Sequence, residues 1–416
     1  MSTNIKITMI SNYINHHQIP FSDQMYQTLG DNYCFIQTQK MEQERADMGW
    51  GIDVKDYPYV LCSYEDEEEA VRRIMDCDLL IAGWTEREDL IRMRLKAGLL
   101  TLRSSERLYR EGQWRFISPK GLLAKYREHI KYCRDNAYLL CVGAYVASDF
   151  SLIHAYKNKM FRFGYFPETR RYNSWEELSS KKDKLGQIFV EAEDELPLPL
   201  PVITDKEIQI VWAGRFMKLK HPEYAIRLAA DLCRLGYRFH IHMIGGGRME
   251  EELKAMAYYE MVEDYITFHG YMSPNDVRDV MEQSHIHLFT SNFIEGWGAV
   301  VNEGMNAGCV EIVNDEVGAA HYLIRDGENG MLYHDGDYKD MFDKVIEVIN
   351  DLDRMDRMGR NAYMTILNEW NAAKAVEEII RFYEGVKNGR IEPPASGPMS
   401  VAPIIRPKFW ATGRLE

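Results

Sequence analysis

The sequence predicts an α/β protein built from two doubly wound, parallel-sheet domains in tandem. Three observations predict it. Through residues 208–314 short β-branched apolar runs alternate with helical patterns. Those runs hold few polar residues, as strands covered on both faces require. The first half repeats the alternation, and 416 residues suffice for two or three domains, each with a core of its own.

In chain order, KITMISNYI, YCFIQTQ, YPYVLCS, LLIAGW, LLTLRSS, AYLLCVG and FRFGYFP read as strands between Lys6 and Pro167. EDEEEAVRRIMDCD and KGLLAKYREHIKYCRDN are helical patterns among them. Residues 1–170 form the expected first domain. Residues 171–206 read as a linker, where Pro197, Pro199 and Pro201 favour an extended segment. The second domain, 207–390, alternates more cleanly: IQIVWAGR, FHIHMIG, ITFHG, HIHLFTS and CVEIVN are strands, with helices between them. Ser273 is placed to cap one of those helices. From about residue 338 the pattern is helical only. Residues 391–416 carry Pro393, Pro394, Pro398, Pro403 and Pro407, an extended tail expected to pack back on the first domain.

Composition narrows the class. The chain is 46% hydrophobic and 27% charged, with a formal charge of −14, which disfavours disorder and general nucleic-acid binding. Seven scattered cysteines with no C-x-x-C pair read as reduced thiols, neither a disulfide frame nor a zinc knuckle. No run of about 18 apolar residues is present, and the N-terminus lacks a signal-peptide pattern, so a cytoplasmic protein is expected.

Ligands of open α/β sheets bind beyond the carboxyl ends of the strands, so the loops there carry the chemistry, and two such domains would face each other across a cleft. After the first strand of the second domain come Gly214, Arg215, Lys218 and Lys220. An arginine fork and a lysine point charge beside a helix start could clamp a diphosphate, with solvated loop charges an equal alternative. After HIHLFTS, Glu295 and Glu303 lie eight positions apart, just over two helical turns, and can line one wall. Gly296 and Gly298 let backbone N–H groups approach a ligand. The alternative is one glutamate complementing the helix dipole and another on a solvated face.

The run GRFMKLKHPEYAI…HMIGGGRMEEEL…SHIHLFTSNFIEGWGAVVNEGMNAG…IRDGENG, over roughly residues 208–335, resembles the retaining family 4 glycosyltransferases of the GT-B fold, bacterial type. The resemblance implies catalytic roles for Arg215, Lys220 and Glu295. Arg215 and Lys220 would hold the donor diphosphate beside Gly214. Glu303 would take the ribose hydroxyls, and Glu295, with the backbone of Gly296, Trp297 and Gly298, those of the transferred sugar. It implies a sugar moved from a nucleotide-diphosphate sugar, a UDP-sugar above others, to a glycan or lipid-linked acceptor in polysaccharide biosynthesis, with retention and no metal cofactor. A sugar-nucleotide epimerase on the same fold and a non-catalytic partner subunit are the rival expectations. The sequence departs from that pattern where the glycine after the phosphate lysine is His221, where G-D-G is Gly245-Gly246-Gly247, and where an acidic residue is replaced by Tyr322. The first-domain histidine of the family has no evident counterpart. His16, His17, Arg103, Ser104, Ser105 and Glu106 are the acceptor-side candidates.

The H-x-H strands (His240/His242, His285/His287) and the D-x-D strings (Asp76/Asp78, Asp335/Asp337, Asp351/Asp353) could suggest a metal, but none has a specific ligand spacing, and no metal site is expected. Residues 87–134 hold 13 Lys/Arg against five acids, with Tyr109, Trp114, Phe116, Tyr126 and Tyr132 interleaved. Such a stretch suits an anionic bilayer, on the inner face of a plasma membrane, as well as it suits a phosphorylated acceptor.

Overall fold

The computed structural model describes residues 5–41, 52–188 and 206–408. Two compact units divide it: 1–168 with 369–416, and 169–368. The first unit holds strands β1 (Ile7–Ser11), β2 (Tyr33–Gln37), β3 (Val60–Cys62), β4 (Leu79–Ala82), β5 (Thr101–Ser105), β6 (Ala137–Val142) and β7 (Met160–Phe163). They form one sheet in the order 3-2-1-4-5-6-7, and the pairs are parallel. The second unit holds β8 (Ile208–Ala213), β9 (Phe239–Ile244), β10 (Ile266–Gly270), β11 (Ile286–Phe289), β12 (Val310–Asn314) and β13 (Gly330–Tyr333), in the order 10-9-8-11-12-13, again parallel. ITMIS is buried along its whole length and runs largely apolar, and FHIHMI is equally buried although His240 and His242 alternate with its apolar residues, each histidine meeting a polar partner, Thr267 and Gln209. In each sheet the order reverses beside the first strand, between β1 and β4 and between β8 and β11.

The domain limits differ from the expected ones at two places. The helix Ala372–Lys387 belongs to the first unit, not the second: its buried Ala375, Val376, Ile379 and Phe382 form an apolar face, and Phe382 meets Tyr138 and Phe161 at ring distances of 5.0 and 5.4 Å. Periodicity shows that this helix has an apolar stripe, not which sheet covers it. Within the expected linker, Trp175–Ile188 is a helix of the second unit. Its Trp175 Nε1 donates to Asp356 at 3.0 Å, and Lys182 Nζ donates to the carbonyl of Ser284 at 2.5 Å. The linker prolines Pro197, Pro199 and Pro201 lie outside the described residues. The Pro-rich tail runs antiparallel beside β7, with Val401 bridging Phe161 and the Arg162 N–H donating to Ser400 O at 2.7 Å. Strand β13 has no counterpart in the sequence reading. It is four residues long and follows the Asp-Gly-x-Asn-Gly turn directly. All seven cysteines are free thiols, and no helix among the described residues is long and apolar enough to cross a membrane.

Candidate functional site

In the second unit the loops after β8 and β11 leave the sheet side by side, at the reversal of strand order where such sheets bind ligands. The loop after β8 closes with a tight turn, Lys218–Lys220. His221 follows at φ +46°, a left-handed conformation that favours glycine. This explains the glycine expected at that position, and here the histidine is held by Nδ1 contacting Glu223 Oε1 at 2.7 Å. The loop and the strand before it are tied to the β11 side by hydrogen bonds. Asn292 N donates to Leu219 O at 2.9 Å, Thr290 Oγ1 donates to Lys220 O at 2.6 Å, and Trp212 Nε1 donates to Thr290 Oγ1 at 2.7 Å. These bonds bring Lys220 to Glu295: Nζ donates to Oε2 at 2.5 Å, with the two side chains only 19% and 17% exposed. The ammonium also lies 5.4 Å from the Phe289 ring centre. Arg215 stands exposed beside this pair in sequence, and Gly214 precedes it.

The triple glycine after β9 has a packing role. A Cβ at Gly245 would stand 2.0 Å from Gly214 O, and one at Gly247 would stand 2.6 Å from Phe216 O. Phe216 N donates to Gly246 O at 2.8 Å, so two loop backbones lie directly on each other. On the β11 side, Gly298 at φ +87° starts the helix Ala299–Asn306, and a Cβ there would meet the Phe289 ring at 2.9 Å. Trp297 is 1% exposed, and its Nε1 donates to Asn302 Oδ1 at 2.8 Å, so it offers a ligand its backbone and not its ring. Gly296 O sits where a Cβ on Gly318 would be, 2.0 Å away. Glu303 is half-buried on the helix Ala299–Asn306, between buried neighbours. Burial pushes its carboxyl up, opposed by the charges of Arg278, His287 and Arg170. Tyr322, in place of an acid, is buried with its ring 6.2 Å from that of Trp297. In the Asp326–Gly330 turn, Asn329 Nδ2 donates to Leu323 O at 3.0 Å and Asp326 Oδ1 accepts from Leu332 N at 2.8 Å, so the motif shapes a turn.

In the first unit a cavity of about 780 Å³ opens at the carboxyl ends of the central strands. His17, Arg103, Ser104, Ser105 and Glu106 line it; His16 does not, its ring lying 3.8 Å from that of His17. Burial, and then the neighbouring His16, lowers His17 to about 3, so it is neutral near pH 7. Arg103 is buried and donates to Glu88 Oε1 at 2.6 Å. Ser105 Oγ donates to Glu106 O at 2.8 Å, and the Glu106 carboxylate accepts from Tyr165 Oη at 2.8 Å and pairs with Arg110. Among the cavity residues that sequence reasoning missed are Trp84, 64% exposed; Tyr165; Arg107, paired at 3.5 Å with the fully buried Asp149; and His129, whose Nδ1 lies 3.1 Å from Tyr156 Oη. Burial, then the charges of Arg103 and Lys125, holds His129 well below the usual range. A tryptophan closing a strand run was a readable signal. Asp149 and His129 sit inside helical patterns that give none.

The other motifs are occupied locally. His242 Nε2 meets Gln209 Oε1 at 2.9 Å and its Nδ1 meets His269 at 3.0 Å, while His287 faces Glu311 at 2.8 Å. Asp78 accepts from Lys6 N at 2.8 Å, Asp335 accepts from Asn314 at 2.5 Å, and Asp337 and Asp351 cap backbone N–H groups. Among the described residues no group of three or more His, Cys, Asp or Glu is placed to hold a metal. The basic stretch 87–134 is not one surface: Arg94, Arg103 and Arg107 point into the unit and are buried.

Comparison with known proteins places this geometry. Residues 201–365 match the family model described as "Glycosyl transferases group 1" and form a domain of that kind. The chain is 24% identical over 177 residues to an alpha-D-kanosaminyltransferase of Streptomyces kanamyceticus, covering 42% of this chain and 45% of that protein. It is 28% identical over 193 residues to the N-acetyl-alpha-D-glucosaminyl L-malate synthase of Bacillus anthracis, covering 45% and 49%. The matches thus span about half the length of these relatives. The crystal structure of Anabaena Alr3699/HepE in complex with UDP is similar over 92% of this chain and 100% of that one, with a TM-score of 0.66 at 13% identity. With two parallel sheets in these strand orders, the fold is GT-B.

Proposed function

We propose that the protein transfers a sugar from a nucleotide-diphosphate sugar, UDP-linked, to a glycan or lipid-linked acceptor, with retention, at the cytoplasmic side. The observation that carries this reading is the juxtaposition of Lys220 and Glu295 at the switch point of the second sheet, inside the domain matched to glycosyltransferases. The likeness to a fold solved with UDP supports the choice of base.

In this reading Lys220 and Arg215 neutralise the leaving diphosphate, the electrostatic work a metal does elsewhere. Arg215 is exposed and able to close on an anion. Glu295 and the backbone of Gly296, Trp297 and Gly298 take the hydroxyls of the transferred sugar, and Glu303 those of the ribose. The acceptor occupies the cavity of the first unit, where Arg103, Ser105, Glu106 and neutral His17 offer hydrogen bonds. Its hydroxyl attacks the face from which the diphosphate departs, and the departing diphosphate takes the proton. The two-carboxylate logic of glycoside hydrolysis is not needed.

A thermal-shift panel of nucleoside diphosphates and nucleotide sugars tests the donor assignment. A ligand at 100 times its Kd stabilises the folded state by about 2.7 kcal/mol, so UDP and UDP-sugars should stand out from the other bases. No shift with any nucleotide would overturn the reading. Turnover with an acceptor panel separates a transferase from an epimerase, which needs no acceptor. Activity should persist in EDTA, and complete loss restored by manganese would overturn the metal-free part.

A further inference from the structure

The segment from Gln113 to Arg134 has two unlike sides. One side belongs to the first unit. Gln113 is 1% exposed, and its Nε2 donates to Asp149 Oδ1 at 2.8 Å and Ser148 Oγ at 2.9 Å. Further along, Lys125, Glu128 and His129 line the cavity assigned to the acceptor. The other side faces solvent with large apolar groups: Trp114 is 46% exposed, Ile117 68%, Leu122 42%, Leu123 50% and Tyr126 49%. Local sequence makes the shape. Ser118 caps the helix Pro119–Lys125 by accepting from Gly121 N, Pro119 occupies its first position, and the chain then widens into a single π-turn, Tyr126–Ile130.

A soluble surface seldom gathers five large apolar side chains within 13 positions without covering them. The charges around them say what covers these. Between Gln113 and Arg134 there are six Lys/Arg and one acid, in a chain whose net charge is −14. Lys120, Arg127 and Arg134 have no ion pair among the described residues and are exposed. Lys131 is exposed and its ammonium lies 5.5 Å from the Tyr132 ring centre. Arg115 pairs with Glu111 and lies 5.5 Å from the Trp114 ring centre. Apolar groups flanked by unpaired cations, with Trp and Tyr at the boundary, match the layers of an anionic bilayer: acyl chains, headgroup interface, phosphates.

We propose that residues 114–134 dock the protein on an anionic lipid surface, and that the acceptor is membrane-anchored, its polar head in the cavity and its lipid left in the bilayer. This deepens the transfer reading and rests on it for the acceptor. The carrying juxtaposition is that one short segment supplies both the docking face and part of the cavity wall, so a headgroup held at the first is beside the second.

Sedimentation with vesicles of phosphatidylcholine alone, or with one-third phosphatidylglycerol, at low and high salt, tests it. Wild type should bind anionic vesicles about tenfold better than neutral ones at low salt, with the preference shrinking at high salt. Leu122→Asp with Leu123→Asp should abolish binding to either vesicle. Lys120→Glu with Arg127→Glu should remove the anionic preference. Both changes are at exposed positions, and an unchanged thermal shift with UDP shows that the folded protein and its donor half are intact. Equal binding of wild type to both vesicles, or wild-type binding by the aspartate variant, overturns the proposal. So does self-association that the aspartate variant abolishes while vesicles stay unbound, which would make the patch a protein contact. Vesicle binding without any nucleotide shift overturns the transfer reading and leaves the docking face standing.

Discussion

Replacing Lys220 by alanine isolates the centre of the donor assignment. Its Nζ sits 2.5 Å from Glu295 Oε2, held there by bonds to the loop's carbonyls from the Thr290 hydroxyl and the Asn292 N–H that the substitution does not touch. A charged hydrogen bond to a diphosphate is worth about 1.5–3 kcal/mol, so the variant should bind UDP roughly 10- to 150-fold more weakly. Folding should hardly change. The pair is partly solvated, at 19% and 17% exposure, and such pairs contribute about 1 kcal/mol or less after screening. In a chain this size that is a shift in Tm of a few degrees at most. Isothermal titration of UDP into wild type, Lys220→Ala and Glu303→Ala measures the effect, with the exposed Lys218→Ala as the control that keeps wild-type affinity. Equal Kd in wild type and both variants, with all of them folded, would refute the donor site and not merely its geometry.

Other expectations concern stability and pH. Arg94 is fully buried without a carboxylate partner among the described residues, donating instead to the carbonyls of Ile74, Cys77 and Leu100 at 2.5, 3.0 and 3.0 Å. Arg94→Ala should cost about 3–5 kcal/mol in urea unfolding by orphaning them, and a loss below 1 kcal/mol would mean the carbonyls find other partners. Burial, then repulsion from His269, lowers His240 to about 4, and burial, then repulsion from His240 and His269, lowers His242 to about 3, so the folded state binds fewer protons than the unfolded one below pH 6.5. Stability gained above pH 6.5 should therefore fall as pH drops from 6.5 towards 4, by up to about 1.4 kcal/mol per unit for each histidine. His242→Gln should flatten that slope, and parallel wild-type and variant curves by chemical denaturation would sink the assignment.

The candidate site of the second unit was the more legible because its signals are local. Lys220 and Glu295 each follow a strand by six or seven positions, and a parallel sheet turns sequence order into spatial neighbourhood at its carboxyl edge. Thus Lys220 and Glu295, 75 positions apart, could be paired on paper because each lies just past a strand, β8 and β11, that the fold sets side by side. His221 shows the limit of that reading. As a departure from a motif it looked like a loss, whereas its left-handed φ keeps the turn that the motif requires.

The cavity of the first unit was less legible for a physical reason. It is made by side chains whose partners lie far along the chain, on elements with no fixed neighbour rule. Arg107 meets Asp149, Glu106 meets Tyr165, and Arg103 meets Glu88. Asp149 is fully buried inside a helix that reads as ordinary. Counting charge had the same weakness. Within residues 87–134 the count treats Arg94 and Arg127 alike, although one holds three segments of backbone inside the unit and the other faces solvent. Net charge sets what a surface attracts only after burial has chosen which charges belong to the surface. Removing the inward-facing arginines does not weaken the basic character of 113–134. It concentrates that character on one short segment, where the apolar side chains also stand exposed.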